Sequence, residues 1–149
     1  MKEYFDEFMK MAIEEAKKGL EEGGIPIGSV LVRKDGKVLG RGHNRRVQDG
    51  DPLAHAEIVA IRNAGRIGSY KDTILYSTLM PCYLCSGAIV QFGIKKVIVG
   101  ESKTFSGAKE FLESHGVEVI DLDLPECKEL MEKFIKENPK LWYEDIGEL

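Results

Sequence analysis

Apolar residues recur at every third or fourth position through the first twenty residues, at Phe5, Phe8, Ala12, Ala16 and Leu20. That spacing predicts an amphipathic helix with one buried face. Glu21-Glu22-Gly23-Gly24 stops it. The next stretch, IGSVLVRKDGKVLGRGHN from Ile27 to Asn44, changes to β-formers, with Val30, Val32, Val38 and Leu39 on either side of Asp35-Gly36. A hairpin is expected there, because Asp-Gly supplies the turn. After a polar loop over 44–53, LAHAEIVAIRNAG opens a helix in which Ile58, Ile61 and Ala64, with Ala60 beside them, hold helical spacing. TILYSTL at 73–79 reads as a strand, and the stretch from Cys82 to Phe92 as a helix closed by Gly93. KKVIVG at 95–100 is a short strand. A helix near 107–115, the strand VEVIDL at 117–122, a helix from Pro125 and a last short helix holding LWYEDIG complete the chain.

The expected order is α-β-β-α-β-α-β-α-β-α-α. Strands that alternate with helices point to an α/β fold, a three-layer α/β/α sandwich around a mixed five-stranded sheet. No repeat, low-complexity segment or linker interrupts the 149 residues, so one domain spanning 1–149 is expected.

Composition narrows the function. The chain is 43% hydrophobic and 31% charged, an ordinary globular balance, and its net charge of −4 argues against affinity drawn from phosphate neutralisation. No apolar run approaches the length of a membrane span. The N-terminus lacks the continuous apolar core of a secretory signal. Three cysteines, two of them in C-x-x-C, make no disulfide framework, so a reducing, cytoplasmic location is expected.

Two pairs of residues carry the chemistry. His55 and Glu57 stand two apart where their helix begins, and Pro81-Cys82-Tyr83-Leu84-Cys85 follows some two dozen residues later. By itself a C-x-x-C at a helix start reads as a redox pair, half of a metal site, or two core cysteines. His55 supplies a third donor from another helix N-terminus. Three protein ligands are what a catalytic zinc takes, because the fourth position stays open for water. Cys127, in the middle of the C-terminal helix, reads as a small core residue. Glu57 by itself would be a favourable negative charge in a first helical turn. Beside the three donors it becomes the group that carries protons. H-x-E…P-C-x-x-C is the signature of zinc deaminases, and His55, Glu57, Pro81, Cys82 and Cys85 match it in full.

From these residues the chain resembles the cytidine deaminase superfamily, and most of all the fungal-type cytosine deaminases that act on the free base. EEGGIPIGSVLV, GRGHN, HAE, YKDTILYSTLMPCYLC, GAIVQFGIKKVIVGE and WYEDIGE have counterparts in the same order, nearly end to end. The resemblance implies a homodimer with one Zn2+ per subunit, held by His55, Cys82 and Cys85, and Glu57 as the catalytic acid/base. It implies that Asn44 hydrogen-bonds the edge of a pyrimidine, that Asp145 accepts from the exocyclic amino group, and that Trp142, Phe105 and Ile27 wall the flat ring. From the residues alone each has a plainer reading: Asn44 shaping a loop, Trp142 anchoring the last helix, Phe105 plugging a loop, Asp145 solvated. His43 reads as structural, and His115 as a helix C-terminal residue before Gly116.

Two departures from the fungal pattern stand out. DPLAHAE is closer to the wording of tRNA adenosine deaminases and bacterial base deaminases, and Met80 stands before Pro81 where fungal enzymes typically have serine. The resemblance implies hydrolytic deamination of free cytosine to uracil and ammonia, a step of pyrimidine salvage. The alternatives are a tRNA wobble adenosine deaminase or another small-base (purine- or pterin-type) deaminase, and, from another class, a binding protein with a structural zinc. A closed four-ligand site would favour the last. The C-terminal segment PKLWYEDIGEL has three acidic residues and one lysine, which suits an enclosed small base better than a nucleotide on a polymer.

Overall fold

The computed structural model describes the backbone of residues 2–149 and the side chains of 7–149. Helix α1 (Lys2–Glu21) leads into strands β1 (Gly28–Arg33) and β2 (Val38–His43), a short helix α2 (Arg46–Asp49) and helix α3 (Ala56–Ala64). Strand β3 (Thr73–Ser77), helix α4 (Tyr83–Phe92), strand β4 (Lys96–Val99), helix α5 (Lys109–Ser114), strand β5 (Glu118–Asp121) and helices α6 (Pro125–Glu137) and α7 (Pro139–Asp145) follow. The sheet order is β2-β1-β3-β4-β5. β1 runs antiparallel to β2 and β3, while β3, β4 and β5 run parallel. The expected mixed five-stranded sheet is the one observed.

Strand alternation sorts the core into layers, because neighbouring side chains point to opposite faces. Val30, Val32, Ile74, Tyr76 and Ile98 face α1 and α6, meeting Phe8, Met9, Ala12, Ile13 and Cys127. Leu31, Leu75, Val97 and Val99 face the other way, onto Ile61 of α3, Ile89 of α4 and Leu112 of α5. A third cluster closes one end: Ile25, Ile27, Ala56 and Leu79 pack with Met131 and Phe134 of α6 and Trp142 of α7. Two glycines in β2 let α3 lie close. A Cβ at Gly40 would meet the Ala60 carbonyl oxygen at 2.3 Å, and one at Gly42 the Val59 side chain at 2.4 Å. The approach matters because the first turn of α3 carries His55 and Glu57.

The structure departs from the sequence expectations in three places. Leu20 is 37% exposed, whereas Phe8, Ala12 and Ala16 are buried. Four residues of helix turn the chain by about 400°, so a strict fourth-residue repeat drifts off any one face. Met9 and Ile13 take up the buried face instead; the Phe5 side chain lies outside the described residues. In α3, Val59 and Ala60 are more deeply buried than Ile58, because the helix leans its flank on β2. The polar loop over 44–53 contains the one-turn helix α2, which carries no buried residue and so left no apolar period to read.

Candidate active site

His55 and Cys82 occupy equivalent places. His55 is the N-cap of α3 and Cys82 the N-cap of α4, each with extended backbone, and each gives its carbonyl to the first turn: Val59 N–H donates to His55 O (2.9 Å) and Ser86 N–H to Cys82 O (2.8 Å). Neither side chain caps its own helix. Both are thereby free to point at each other, with Cys82 Sγ 3.4 Å from His55 Nδ1. Cys85, fully buried in the first turn of α4, completes the set. The donor atoms of His55, Cys82 and Cys85 lie within 4.8 Å of one another, and no fourth His, Cys, Asp or Glu joins them among the described residues.

The donor chemistry fits a zinc ion. The hydrogen bond between the two sulfurs favours charge on Cys82, burial opposes it, and the His55 hydrogen bond adds to the first effect, so the Cys82 thiol is pushed down to about 4. Its partner pays the opposite way: the same bond, then burial, raises Cys85 well above the ordinary thiol range. Burial by itself would lower His55, but Cys82 and Asp145 outweigh it and raise the ring to about 9. Two thiols and an imidazole at helix N-termini, where the backbone favours negative charge, are a donor set that zinc takes.

Glu57 lies 4% exposed in the first turn of α3. Burial, followed by the charge on Cys82, pushes its carboxyl up to about 7, which suits a group that both takes and gives a proton near neutral pH. On the opposite side of the His55 ring from Cys82, Asp145 Oδ1 lies 3.7 Å from Nε2. Asn44 Nδ2 donates to the same oxygen at 3.4 Å. Asn44 follows the end of β2 and is itself anchored, its N–H donating to Ile27 O at 3.0 Å. Burial raises the Asp145 carboxyl, opposed by His55, Asn44 and Arg46.

Apolar walls close around these polar groups. Phe105 and Trp142 meet edge to face, centroids 5.9 Å apart at 89°. Ile27, Leu79 and Ile146 line the remainder, together with Met80. Every residue the sequence assigned to the site therefore lines one cavity or, for Cys85, lies directly behind it. Met80, the residue that departs from the fungal pattern, lines it too, and Leu79, Ile146 and Ala56 also line it but escaped the sequence reading, because their apolar character marks them only as core. Cys127 is buried in the α1/α6 layer, and His115 caps the C-terminus of α5. His43 is buried behind Asn44, Nδ1 2.8 Å from Glu15 and Nε2 2.8 Å from Glu22.

This fold with this donor set defines a zinc-binding deaminase class, and the comparisons with known proteins agree. Residues 2–101 match the cytidine and deoxycytidylate deaminase zinc-binding region, and the chain belongs to the cytidine deaminase superfamily. It is 49% identical over 142 residues to the cytosine deaminase of Candida albicans, covering 94% of this chain and 95% of that one. It is 39% identical over 142 residues to a tRNA-specific adenosine deaminase of Streptococcus pyogenes, covering 87% of this chain and 89% of that one. A solved structure from a study of A-to-I editing by tRNA:A34 deaminases superposes with a TM-score of 0.76 at 34% identity, over 84% of this chain and 99% of the other.

Proposed function

We propose that the chain catalyses the hydrolytic deamination of free cytosine to uracil and ammonia, a reaction of pyrimidine salvage. The observation that carries the reading is the cap. α7 brings Trp142, 4% exposed, and Asp145 onto the cavity that holds His55 and Glu57, so the last helix covers the site. A single flat base can be enclosed there, whereas a nucleotide attached to a polymer needs an exit for its backbone. The likeness to the Candida albicans enzyme supports the same substrate. The free volume is only about 20 Å³, enough for a water, so a base enters as α7 or the Phe105 loop gives way.

His55, Cys82 and Cys85 would hold one zinc ion per chain, which would supply Lewis acidity and lower the pKa of a water to about 7. Glu57 takes a proton from the attacking water as the water oxygen bonds to C4 of the ring, and delivers the proton to N3. It then transfers the second proton to the amino group, the C4–N bond breaks, and ammonia leaves. Water and cytosine are thus converted to uracil and ammonia with no other reactant. Asn44 and Asp145 fix the ring edge, Asp145 by accepting from the amino group. Phe105, Trp142 and Ile27 hold the ring plane and exclude bulk water, which serves orientation.

In this reading residues 1–149 work as one domain, paired as a homodimer in the cytoplasm. No helix among the described residues is long and apolar enough to cross a membrane. Ammonia release from cytosine, adenine, guanine, their nucleosides and an anticodon stem-loop tests the substrate. Cytosine should be turned over at least about a hundredfold faster than the others, the discrimination expected of a site built to hydrogen-bond its substrate. Faster release from the stem-loop would assign the chain to the tRNA adenosine deaminases instead.

A further inference from the structure

Arg46 opens α2, two residues past Asn44, and lies between the two polar walls of the cavity. Its backbone N–H donates to Asn44 Oδ1 at 3.0 Å. That bond occupies the amide oxygen and turns Nδ2 toward Asp145. The guanidinium reaches the other wall. Nε lies 3.5 Å from Glu144 Oε1 and Nη1 4.0 Å from Asp145 Oδ1, while Nη1 also donates to the Pro52 carbonyl at 3.2 Å. Glu144 and Asp145 are consecutive in the last turn of α7. Nε is buried and makes no hydrogen bond among the described residues. A guanidinium N–H shut away from water is unfavourable unless a charge of opposite sign stands near, and among the described residues the ion pairs of Arg46 are with α7.

We propose that Arg46 is a positioning residue that latches α7 over the cavity while its own backbone sets the Asn44 amide. One residue thereby keeps the two walls that read the substrate in register. A guanidinium suits the task because its planar fork engages the α7 carboxylates and the Pro52 carbonyl together, which a point charge on a flexible stem does less well. Its position at the C-terminal end of α7 adds a favourable interaction with the helix carbonyls. The Glu57 corner takes no part, so the latch acts on how the ring is held and not on proton transfer.

The latch can be read without turnover. Trp142 is the only tryptophan, is buried, and sits on α7. In zinc-loaded protein, Arg46→Ala should shift Trp142 emission to the red and raise its quenching by acrylamide, with metal content unchanged. Arg46→Lys should fall between Arg46→Ala and the parent, and Glu144→Ala should move in the same direction by less. The kinetic arm rests on the free-base reading. There Arg46→Ala should lower kcat/KM for cytosine about two- to fivefold, on the scale of a partly exposed ion pair, mostly by raising KM. A merely structural defect would instead lower kcat through a smaller active fraction at unchanged KM. Unchanged emission and quenching in Arg46→Ala overturn the latch whatever the kinetics. Should Arg46→Ala fail to fold, unchanged emission in both Arg46→Lys and Glu144→Ala overturns it equally. If the parent does not act on cytosine, the substrate reading fails and the fluorescence still decides the latch.

Discussion

His55 and Cys82 reach the cavity from the N-caps of α3 and α4, whereas Phe105 and Asp145 reach it from a loop and from the last turn of the chain. The first corner is fixed by backbone. Each ligand's carbonyl is committed to its own helix, and the helices rest on the sheet through Gly40, Gly42, Ile61 and Ile89. The second corner is held by side chains: the Phe105–Trp142 contact, the long Asn44–Asp145 bond across 101 residues of sequence, and the ion pairs of Arg46. In the proposed reading, chemistry falls to the corner fixed by backbone and substrate selection to the one held by side chains. Substitutions in the two corners should therefore fail in different ways.

The largest effects belong to the first corner. His55→Ala or Cys82→Ala should lose most of the zinc and all measurable turnover, as seen by elemental analysis beside an ammonia assay. Glu57→Gln should keep zinc and fold and still lose about 10²–10⁴ in kcat, since one carboxyl serves every proton transfer. Near-normal turnover by Glu57→Gln would move the proton shuttle to another group and dissolve the contrast between the corners.

An intermediate effect belongs to the cap. Asp145→Ala should cost cytosine turnover about ten- to a hundredfold, the scale of a buried charged hydrogen bond, with zinc retained. Deleting 139–149 should cost more, because Trp142 leaves too and water enters. A truncated, zinc-loaded protein that deaminated an adenosine in a stem-loop as fast as the parent does would reverse the assignment of the cap to free-base selection.

The same contrast explains what the sequence discloses. His55, Glu57, Cys82 and Cys85 are legible because a metal needs donors at short spacings from helix starts, and such spacings survive in linear order. The hairpin around Asp35-Gly36 is legible for a similar reason: a local turn dictates local residues. Asn44, Phe105, Trp142 and Asp145 show no local pattern, and only resemblance pointed to them. Arg46 and Glu144 look like two more surface charges, because what makes them neighbours is the tertiary approach of the last turn of α7 to Arg46. Leu20 misled for yet another reason, since fourth-residue spacing and helical pitch part company over several turns.

The smallest effect should arise behind the cap, where His43 precedes Asn44. Glu15 accepts from His43 Nδ1 and from Arg41 Nε, both at 2.8 Å, with its side chain 11% exposed. Burial would raise its carboxyl, but His43 and Arg41 outweigh burial and hold it below 4.5. A group depressed in the folded state lends stability above its unfolded pKa, and that stability drains away as pH falls through the folded value. Glu15→Gln should therefore melt lower than the parent at pH 7, by roughly 2–4 °C if the cluster is worth about 1 kcal/mol. The two melting curves should converge as the pH falls through the depressed folded value of Glu15, below 4.5, where the parent's carboxyl has also taken up its proton. Turnover at 25 °C should barely change, because neither Glu15 nor His43 faces the cavity. A fall in kcat comparable to that of Asp145→Ala would show that the cluster sets Asn44 and not only the fold, and would draw it into the corner held by side chains. A melting difference that persisted at low pH would instead trace the loss to packing around α1, with the carboxyl's charge irrelevant.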